Sequence, residues 1–394
     1  MPEYKKILLA AGIFPPDIGG PATYVKILAE ELPKLGFEVR VLAYSDDEAE
    51  SRKLKVESNR ESRIFKINRK QNIFSRYFNY FFIAWKLVAW ADIVYAQDAV
   101  NSGLPIWLAC KLRGKKYYLK IVGDYAWEQG TQRCGVKELL DDFQNKKYGF
   151  KVELWRKIQR LVAGNAKKII TPSNYLKNIV KQWGVDEDII QVIYNSVKKI
   201  KAAEFNKAEI KQELNLTGDI IISVGRLVPW KGFDTLIEIF PDLLKINPNF
   251  KLIIVGEGPE YNNLKFKVTS YKLQEKVFFT GSLEQQILFQ YIQASGMFVL
   301  NTGYEGLPHI IIEAMQLGIP VITTKAGGNT EVIENNKNGI LVEYNNCEQL
   351  KNAIIRLHQD KGLAVGLSSR AKESVTNKFS KDRMIEKLIK IFNF

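Results

Sequence analysis

Two glutamates, Glu305 and Glu313, stand eight positions apart in the almost wholly apolar run GYEGLPHIIIEAMQLGIPVI, residues 303–322. An unpaired carboxylate is costly to bury, so each needs a cation, a cap to form or a ligand. A second run, GRLVPWKGFDTLIEIF, sets Arg226 and Lys231 in one short loop ahead of a helical segment. Two cations beside a helix N-terminus suit a diphosphate, and the two carboxylates suit the hydroxyl groups of a ribose or a sugar. Each residue also has a plainer reading. Arg226 and Lys231 serve equally as solvated loop cations, Glu305 as a helix cap and Glu313 as one member of an ion pair.

Glycine turns accompany these groups. PPDIGGPATYV carries Gly19 and Gly20 between a strand-like run and a helix. There the backbone can turn sharply and approach a ligand, and helix N-termini attract anions. VGEGP (255–259) ends a strand with Gly256 and Gly258, and Gly281 ends the next. Glu305, Gly306, Leu307 and Pro308 read as a loop entering a helix, with Pro near the first turn and Glu313 about two turns in. Other chemistries are excluded by what is missing. The chain has no G-x-x-x-x-G-K-[ST] loop and no G-x-G-x-x-G after its first strand. Its two histidines, His309 and His358, are too few for a histidine-rich metal site, and Cys110, Cys134 and Cys347 have no metal-ligand spacing.

The elements that must position these groups are strand-like runs alternating with helical ones. In the first half the strands are KILLAAGIF, FEVRVLAY, RIFKI, ADIVYAQD, KKYYLKIVGD and KKIITPS; in the second they are DIIISVGRL, FKLIIVGEG, KVFFTGS, GMFVLNTG and IPVITTKAGG. Short buried strands alternating with helices predict parallel sheets of βαβ units, and 394 residues exceed what a single core usually serves. The expected fold is two Rossmann-like, doubly wound α/β domains facing across a cleft, with ligands beyond the carboxyl ends of the strands. The Lys-, Glu- and Asn-rich stretch 198–217 reads as a linker between a domain of residues 1–197 and one of residues 218–375.

Charge is uneven along the chain. Of a net +14, residues 1–190 hold 32 Lys and Arg against 22 Asp and Glu, and the remainder 25 against 21. Residues 51–90 alone have ten basic and two acidic side chains. Such a surplus favours a nucleic acid, an anionic lipid or a phosphorylated ligand, with a solvated basic face as the plainer reading. The run IFSRYFNYFFIAWKLVAW (73–90) puts Ile73, Tyr77, Phe78, Phe81, Trp85 and Val88 on one helical face. Such stripes usually pack inward, while the basic residues ahead of this one leave contact with an anionic membrane open. No apolar run reaches the ~18 residues of a membrane-spanning helix. The N-terminus reads as a first strand, and scattered cysteines suit a reducing compartment, so a cytoplasmic protein is expected.

In order and spacing, Gly19-Gly20, Arg226 with Lys231, VGEGP, Glu305-x7-Glu313 and AGGNTEVI resemble family 4 of the retaining, nucleotide-sugar-dependent glycosyltransferases, which have the GT-B fold. The resemblance spans nearly the whole chain and is most specific over residues 220–345. It implies a donor diphosphate held by Arg226 and Lys231, a ribose hydrogen-bonded by Glu313, and Glu305 near the donor sugar hydroxyls. The backbone of Gly306, Leu307, Pro308 and His309 would lie close to sugar and phosphates. Gly256 would lie at the donor, and Gly19 and Gly20 would approach the diphosphate. No metal is implied, because the cations and a helix dipole do that work. The last helix, in residues 376–394, would return to the first domain. Where many members carry a histidine, KIVGDYAWE has Asp124, expected beside the reacting sugar or acceptor, with capping of a turn as the alternative.

The implied reaction carries a sugar from a UDP- or GDP-linked donor to a hydroxyl of a glycan or lipid-linked acceptor, with retained configuration and no nucleic acid partner. Arg226 and Lys231 would stabilise charge growing on the leaving group. Two alternatives remain: a sugar-nucleotide epimerase of the same fold, or a non-catalytic sugar-nucleotide-binding partner protein. The first needs further acid–base residues, and the second has no need to keep Arg226, Lys231, Glu305 and Glu313 together.

Overall fold

The computed structural model describes residues 5–17, 19–45, 53–54, 62–197, 200 and 207–393. The chain divides into two compact units, residues 1–196 with 382–394 and residues 197–381.

The first unit is built on β1 (Lys5–Ala11), β2 (Phe37–Ser45), β3 (Lys53–Leu54), β4 (Ser62–Asn68), β5 (Ile93–Ala96), β6 (Tyr118–Lys120), β7 (Lys168–Thr171) and β8 (Ile190–Val192). They lie in the order β3-β4-β2-β1-β5-β6-β7-β8, parallel except for β3 against β4. Ile7 to Ala11 of β1 are all buried, as a central strand covered on both faces must be. Helices α1 (Gly20–Glu31), α2 (Ile73–Trp90), α3 (Gly103–Arg113), α4 (Tyr125–Arg133), α5 (Leu140–Gln144), α6 (Phe150–Gly164) and α7 (Asn174–Gln182) connect them. The chain winds one way from β1 to β2 and the other way from β4 through β5, β6 and β7. Right-handed crossovers therefore put α2, α3 and α6 on the face opposite α1, and α3 packs against both α2 and α6.

Helix α2 forms where the apolar run indicates, but its buried residues are Tyr80, Ala84, Leu87 and Val88. Of the stripe read from the sequence only Val88 is among them. The run is apolar nearly all round, so its period does not say which side meets the sheet. The sheet takes the side with small and β-branched residues and a tyrosine whose hydroxyl reaches the carbonyls of Ala11 and Leu42.

The second unit begins with α8 (Lys207–Glu213), a short helix inside the stretch read as linker; residues 198–199 and 201–206 of that stretch lie outside the described residues. Its single buried residue, Ile210, leaves no period to read. The sheet comprises β9 (Asp219–Val224), β10 (Phe250–Val255), β11 (Val277–Gly281), β12 (Met297–Leu300), β13 (Val321–Thr324) and β14 (Ile340–Val342). All are parallel, in the order β11-β10-β9-β12-β13-β14. Between them run α9 (Phe233–Glu238), α10 (Phe240–Ile246), α11 (Tyr261–Ser270), α12 (Gln285–Ala294) and α13 (His309–Gln316), and α14 (Cys347–Gln359) and α15 (Lys361–Lys378) follow. Strands β8 and β14, three residues each, and the two-residue β3 are absent from the sequence reading because so short a run shows no alternation. In both sheets the winding direction reverses once, between β1 and β5 and between β9 and β12. At such switch points the strand ends leave a crevice.

The last helix, α16 (Lys381–Asn393), belongs to the first unit. Met384, Ile385, Leu388 and Phe392 enter its core beside Ile7 and Ile170. Phe392, fully buried, meets Tyr95 and Tyr118 edge-on at centroid distances of 5.3 and 4.9 Å. Phe392→Ala is expected to cost the first unit about 3–5 kcal/mol, measured as a lower urea midpoint for that unit, with the second unit's transition unchanged.

Candidate active site

The site-forming residues of the second unit gather over the switch point between β9 and β12. Past β9 the chain keeps its register with the next loop: Gly225 donates to the Val255 carbonyl at 3.0 Å and Leu227 to that of Glu257 at 2.9 Å. A single 3₁₀ turn, Pro229–Lys231, then closes on Gly232, which is left-handed at φ 59°. The turn brings the Lys231 ammonium back over Gly225, whose added Cβ would stand 3.7 Å from Nζ. Arg226, on the same loop, is exposed.

The loop after β12 is stitched to that turn. Gly303 donates to the Trp230 carbonyl at 2.7 Å, the Thr302 hydroxyl does so at 3.2 Å, and Asn301 Nδ2 donates to the Gly232 carbonyl at 3.2 Å. The loop thereby delivers Glu305 to Lys231, and the ammonium donates to Glu305 Oε1 in an ion pair whose two side chains are each 14% exposed. From the far side Gly328 donates to the Glu305 carbonyl at 2.7 Å. Gly327 is left-handed at φ 56°, and a Cβ there would collide with the Glu305 backbone, so only glycine lets the AGG loop of AGGNTEVI lie so close.

Glu305 is not a helix cap. Helix α13 begins at His309 with Pro308 in the capping position and no side chain capping it, which places Glu313 little more than one turn in, nearer the mouth than the sequence reading has it. Glu313 forms no ion pair among the described residues. Burial pushes its carboxyl up to about 7, and the side-chain hydrogen bond from Gln285 draws it part of the way back. Gly306, Leu307 and Pro308 are buried and His309 is half-buried at the same helix entrance. Gly256 donates to the Gly281 carbonyl at 2.9 Å, and a Cβ on it would strike the Gly225 carbonyl.

Gly19, Gly20 and Asp124 belong to the first unit. Gly19 precedes the first turn of α1. A Cβ built at Gly20 would meet no atom within 4 Å, so nothing described here explains a glycine at 20. Asp124 is fully buried. It caps α4, accepting from Trp127 N at 3.0 Å, Gln159 Nε2 at 3.0 Å and Gln144 Nε2 at 2.9 Å. Both oxygens are thus occupied, and the structure gives Asp124 the turn-capping role. What the sequence reading lacks is the cavity beside it. A space of about 250 Å3 opens at the switch point between β1 and β5, lined by Gly12, Asp98, Asn101, Tyr125, Glu128 and Gln159 among others. Asp98 accepts from the Ser102 hydroxyl at 2.7 Å and from the N–H groups of Val100 and Ser102, while burial pushes its carboxyl up. Its signal was the acid ending ADIVYAQD.

Two family models match the chain in succession, "Glycosyltransferase Family 4" over residues 18–199 and "Glycosyl transferases group 1" over 204–374. An uncharacterized glycosyltransferase of Methanocaldococcus jannaschii is 26% identical over 98% of both chains. The UDP-Gal:alpha-D-GlcNAc-diphosphoundecaprenol alpha-1,3-galactosyltransferase of Escherichia coli is 28% identical over 75% of this chain and 74% of its own. The sucrose-phosphate synthase of Thermosynechococcus elongatus superposes with a TM-score of 0.79 at 20% identity, over 98% of each chain. The chain belongs to glycosyltransferase family 4 and has the GT-B fold.

The raised Glu313 pKa has a stability consequence. The native state holds this proton more tightly than the unfolded chain, so the stability that goes with protonation is complete below about pH 4.5 and is lost as pH rises through about 7. The full loss is on the order of 3 kcal/mol. Glu313→Gln is therefore expected to be more stable than the native protein at pH 8, with the gap closing near pH 4.5, as urea unfolding at the two pH values will show.

Proposed function

We propose that this transferase moves a hexosyl group, with retention, from a UDP- or GDP-linked donor to a hydroxyl of a glycan or lipid-linked acceptor. The observation that carries the reading is the Lys231–Glu305 pair, set over the switch point of the second sheet and next to a helix bearing the partly buried, unpaired Glu313. In this reading Lys231 and Arg226 take the diphosphate, and the backbone of Gly306, Leu307, Pro308 and His309 lies along phosphates and sugar. Glu313 accepts from the ribose hydroxyls, which add to the one hydrogen bond that Gln285 gives its carboxyl. Glu305 accepts from a hydroxyl of the transferred sugar, and Gly256 lets the base approach the backbone. Gly19 and Gly20 belong to the first unit's turn into α1, where a Cβ at 20 would meet open space.

The anomeric C–O bond breaks and its electron pair leaves on the diphosphate oxygen. The acceptor oxygen bonds to the same face of the anomeric carbon, and its proton passes to the departing phosphate oxygen. Two cations that gain interaction energy as that oxygen becomes negative lower the barrier, and on this account no metal is required. The acceptor is assigned to the cavity of the first unit, where Tyr125 and Glu128 of α4 offer hydroxyl and carboxylate groups and Gln159 of α6, bonded to Asp124 and to the Ala126 N–H, holds the wall. Asp124 acts there through the helix it caps. The E. coli relative is named for a UDP-sugar donor and a diphosphoundecaprenol acceptor, which favours UDP and a lipid-linked acceptor. A lipid-linked acceptor also places the enzyme at a membrane, although no helix of the described residues is long and apolar enough to cross one.

A thermal-shift series with UDP, GDP and their sugars tests the donor: the true nucleotide raises the melting temperature with concentration. Lys231→Ala is expected to lower kcat by roughly 10²–10³ with its circular dichroism unchanged; near-native turnover would refute the assignment. Turnover is expected to survive EDTA, and the product's anomeric proton to show the donor's configuration.

A further inference from the structure

Among the described residues, nine of the seventeen exposed large hydrophobic residues lie on α2, α3 and α6 of the first unit. On α2, Phe74, Phe78 and Phe82 are 85%, 61% and 46% exposed and recur every fourth residue, on the side turned away from the buried Tyr80, Ala84 and Leu87. The Phe78 and Phe82 rings touch each other at 4.3 Å between centroids without reaching the core. Leu112 on α3 and Phe150 on α6 are 56% and 81% exposed. Because α3 packs between α2 and α6, these side chains form one outward face. A patch of this extent is not neutral decoration on a soluble surface.

Its charge is one-sided. Neither α2 nor α3 contains an acidic residue. Lys86, Lys111, Lys151, Lys157 and Arg160 stand among the apolar side chains, with no ion pair among the described residues. Arg113 and Lys111 lie over the rings of Trp85 and Trp107 at 4.4 and 5.3 Å, so these cations sit on the faces of aromatic rings. The one acid on α6, Glu153, is engaged by Arg156 at 2.9 Å. Apolar side chains surrounded by unneutralised cations fit an anionic bilayer, in which rings and leucines enter the acyl boundary and ammonium and guanidinium groups meet phosphates.

We propose that the α2–α3–α6 face is the surface by which the protein docks on an anionic membrane. The proposal rests on the reading of a lipid-linked acceptor and names the surface that brings the enzyme to it. Vesicles of phosphatidylcholine with about one third phosphatidylglycerol, free of any acceptor, test it by co-sedimentation at low salt against pure phosphatidylcholine. The native protein is expected to bind the anionic vesicles at least tenfold more tightly. Phe78→Ser with Phe82→Ser is expected to lose at least tenfold of that binding, as is Lys86→Glu with Lys111→Glu. Phe266→Ser, which removes an equally exposed ring on α11, is expected to change nothing. The donor-induced rise in melting temperature, measured on every variant, is expected to persist and shows each to be folded. Equal binding to both vesicles, no effect of the α2 variants, or light scattering showing a dimer that Phe78→Ser with Phe82→Ser dissociates overturns the proposal. Failure of every nucleotide to shift the melting temperature, with vesicle binding intact, overturns the donor reading and leaves the docking face standing.

Discussion

One ion pair holds the site together. Lys231 and Glu305 come from loops after two adjacent strands, β9 and β12, and each charge is largely withdrawn from water. Removing either partner leaves the other uncompensated, which costs more than the pair itself contributes. The loops must therefore keep both groups in place, and the hydrogen bonds from Thr302, Gly303 and Asn301 to the Trp230 and Gly232 carbonyls do so. The pair also sets the chemistry. An ammonium already desolvated and oriented needs little reorganisation to meet an incoming oxyanion, and a carboxylate that shares it retains lone pairs for hydroxyl donors.

The two sheets obey the same topological rule and use it differently. Over the β9–β12 switch point the loops present charge: an ion pair, an exposed arginine and a glutamate without an ionic partner. Over the β1–β5 switch point the acids are turned inward. Asp124 spends both oxygens on α4, α5 and α6, and Asp98 spends its own on the turn that starts α3. What these two aspartates achieve is rigidity, because they fix the helix starts whose next residues line a cavity of about 250 Å3. The proposed role of this cavity in holding an acceptor hydroxyl would gain from walls held in place.

The sequence was most legible where chemistry and geometry coincide. Buried parallel strands read as continuous apolar runs, so the central strands and both doubly wound sheets followed from pattern alone, and family 4 from the order of the loops. Arg226, Lys231 and Glu305 were visible as charges at strand ends, and Glu313 as a charge in the apolar helix that follows. Three things were not visible. The inward side of α2 was hidden because the helix is apolar all round, and only the sheet decides which residues it covers. The surroundings of Asp124 were hidden because the same residue type caps helices and binds ligands, and its bonds to the amides of Gln144 and Gln159, 20 and 35 positions away, have no local signal. The cavity beside Asp98 arises from segments separated in sequence by as many as 171 residues, Gly12 to Trp183, a juxtaposition with no local period.

Glu313 brings stability and function into opposition. A carboxyl pushed up to about 7 is held where the folded chain would be better off without it, and a glutamine would relieve the cost. Such strain persists where a ligand repays it. In the donor site proposed above, ribose hydroxyls donating to the ionised carboxylate would stabilise its charge and draw the pKa back down. On that proposal the proton that leaves Glu313 is linked to the ligand that enters, and the affinity for a ribose is expected to rise as pH climbs through the carboxyl's own titration. The apolar flank of α13, with Ile311, Ile312, Ala314 and Met315 all buried, supplies the low dielectric that raises the pKa. It is also what ties the helix to its sheet, so the feature that makes the glutamate costly is the one that keeps it aimed.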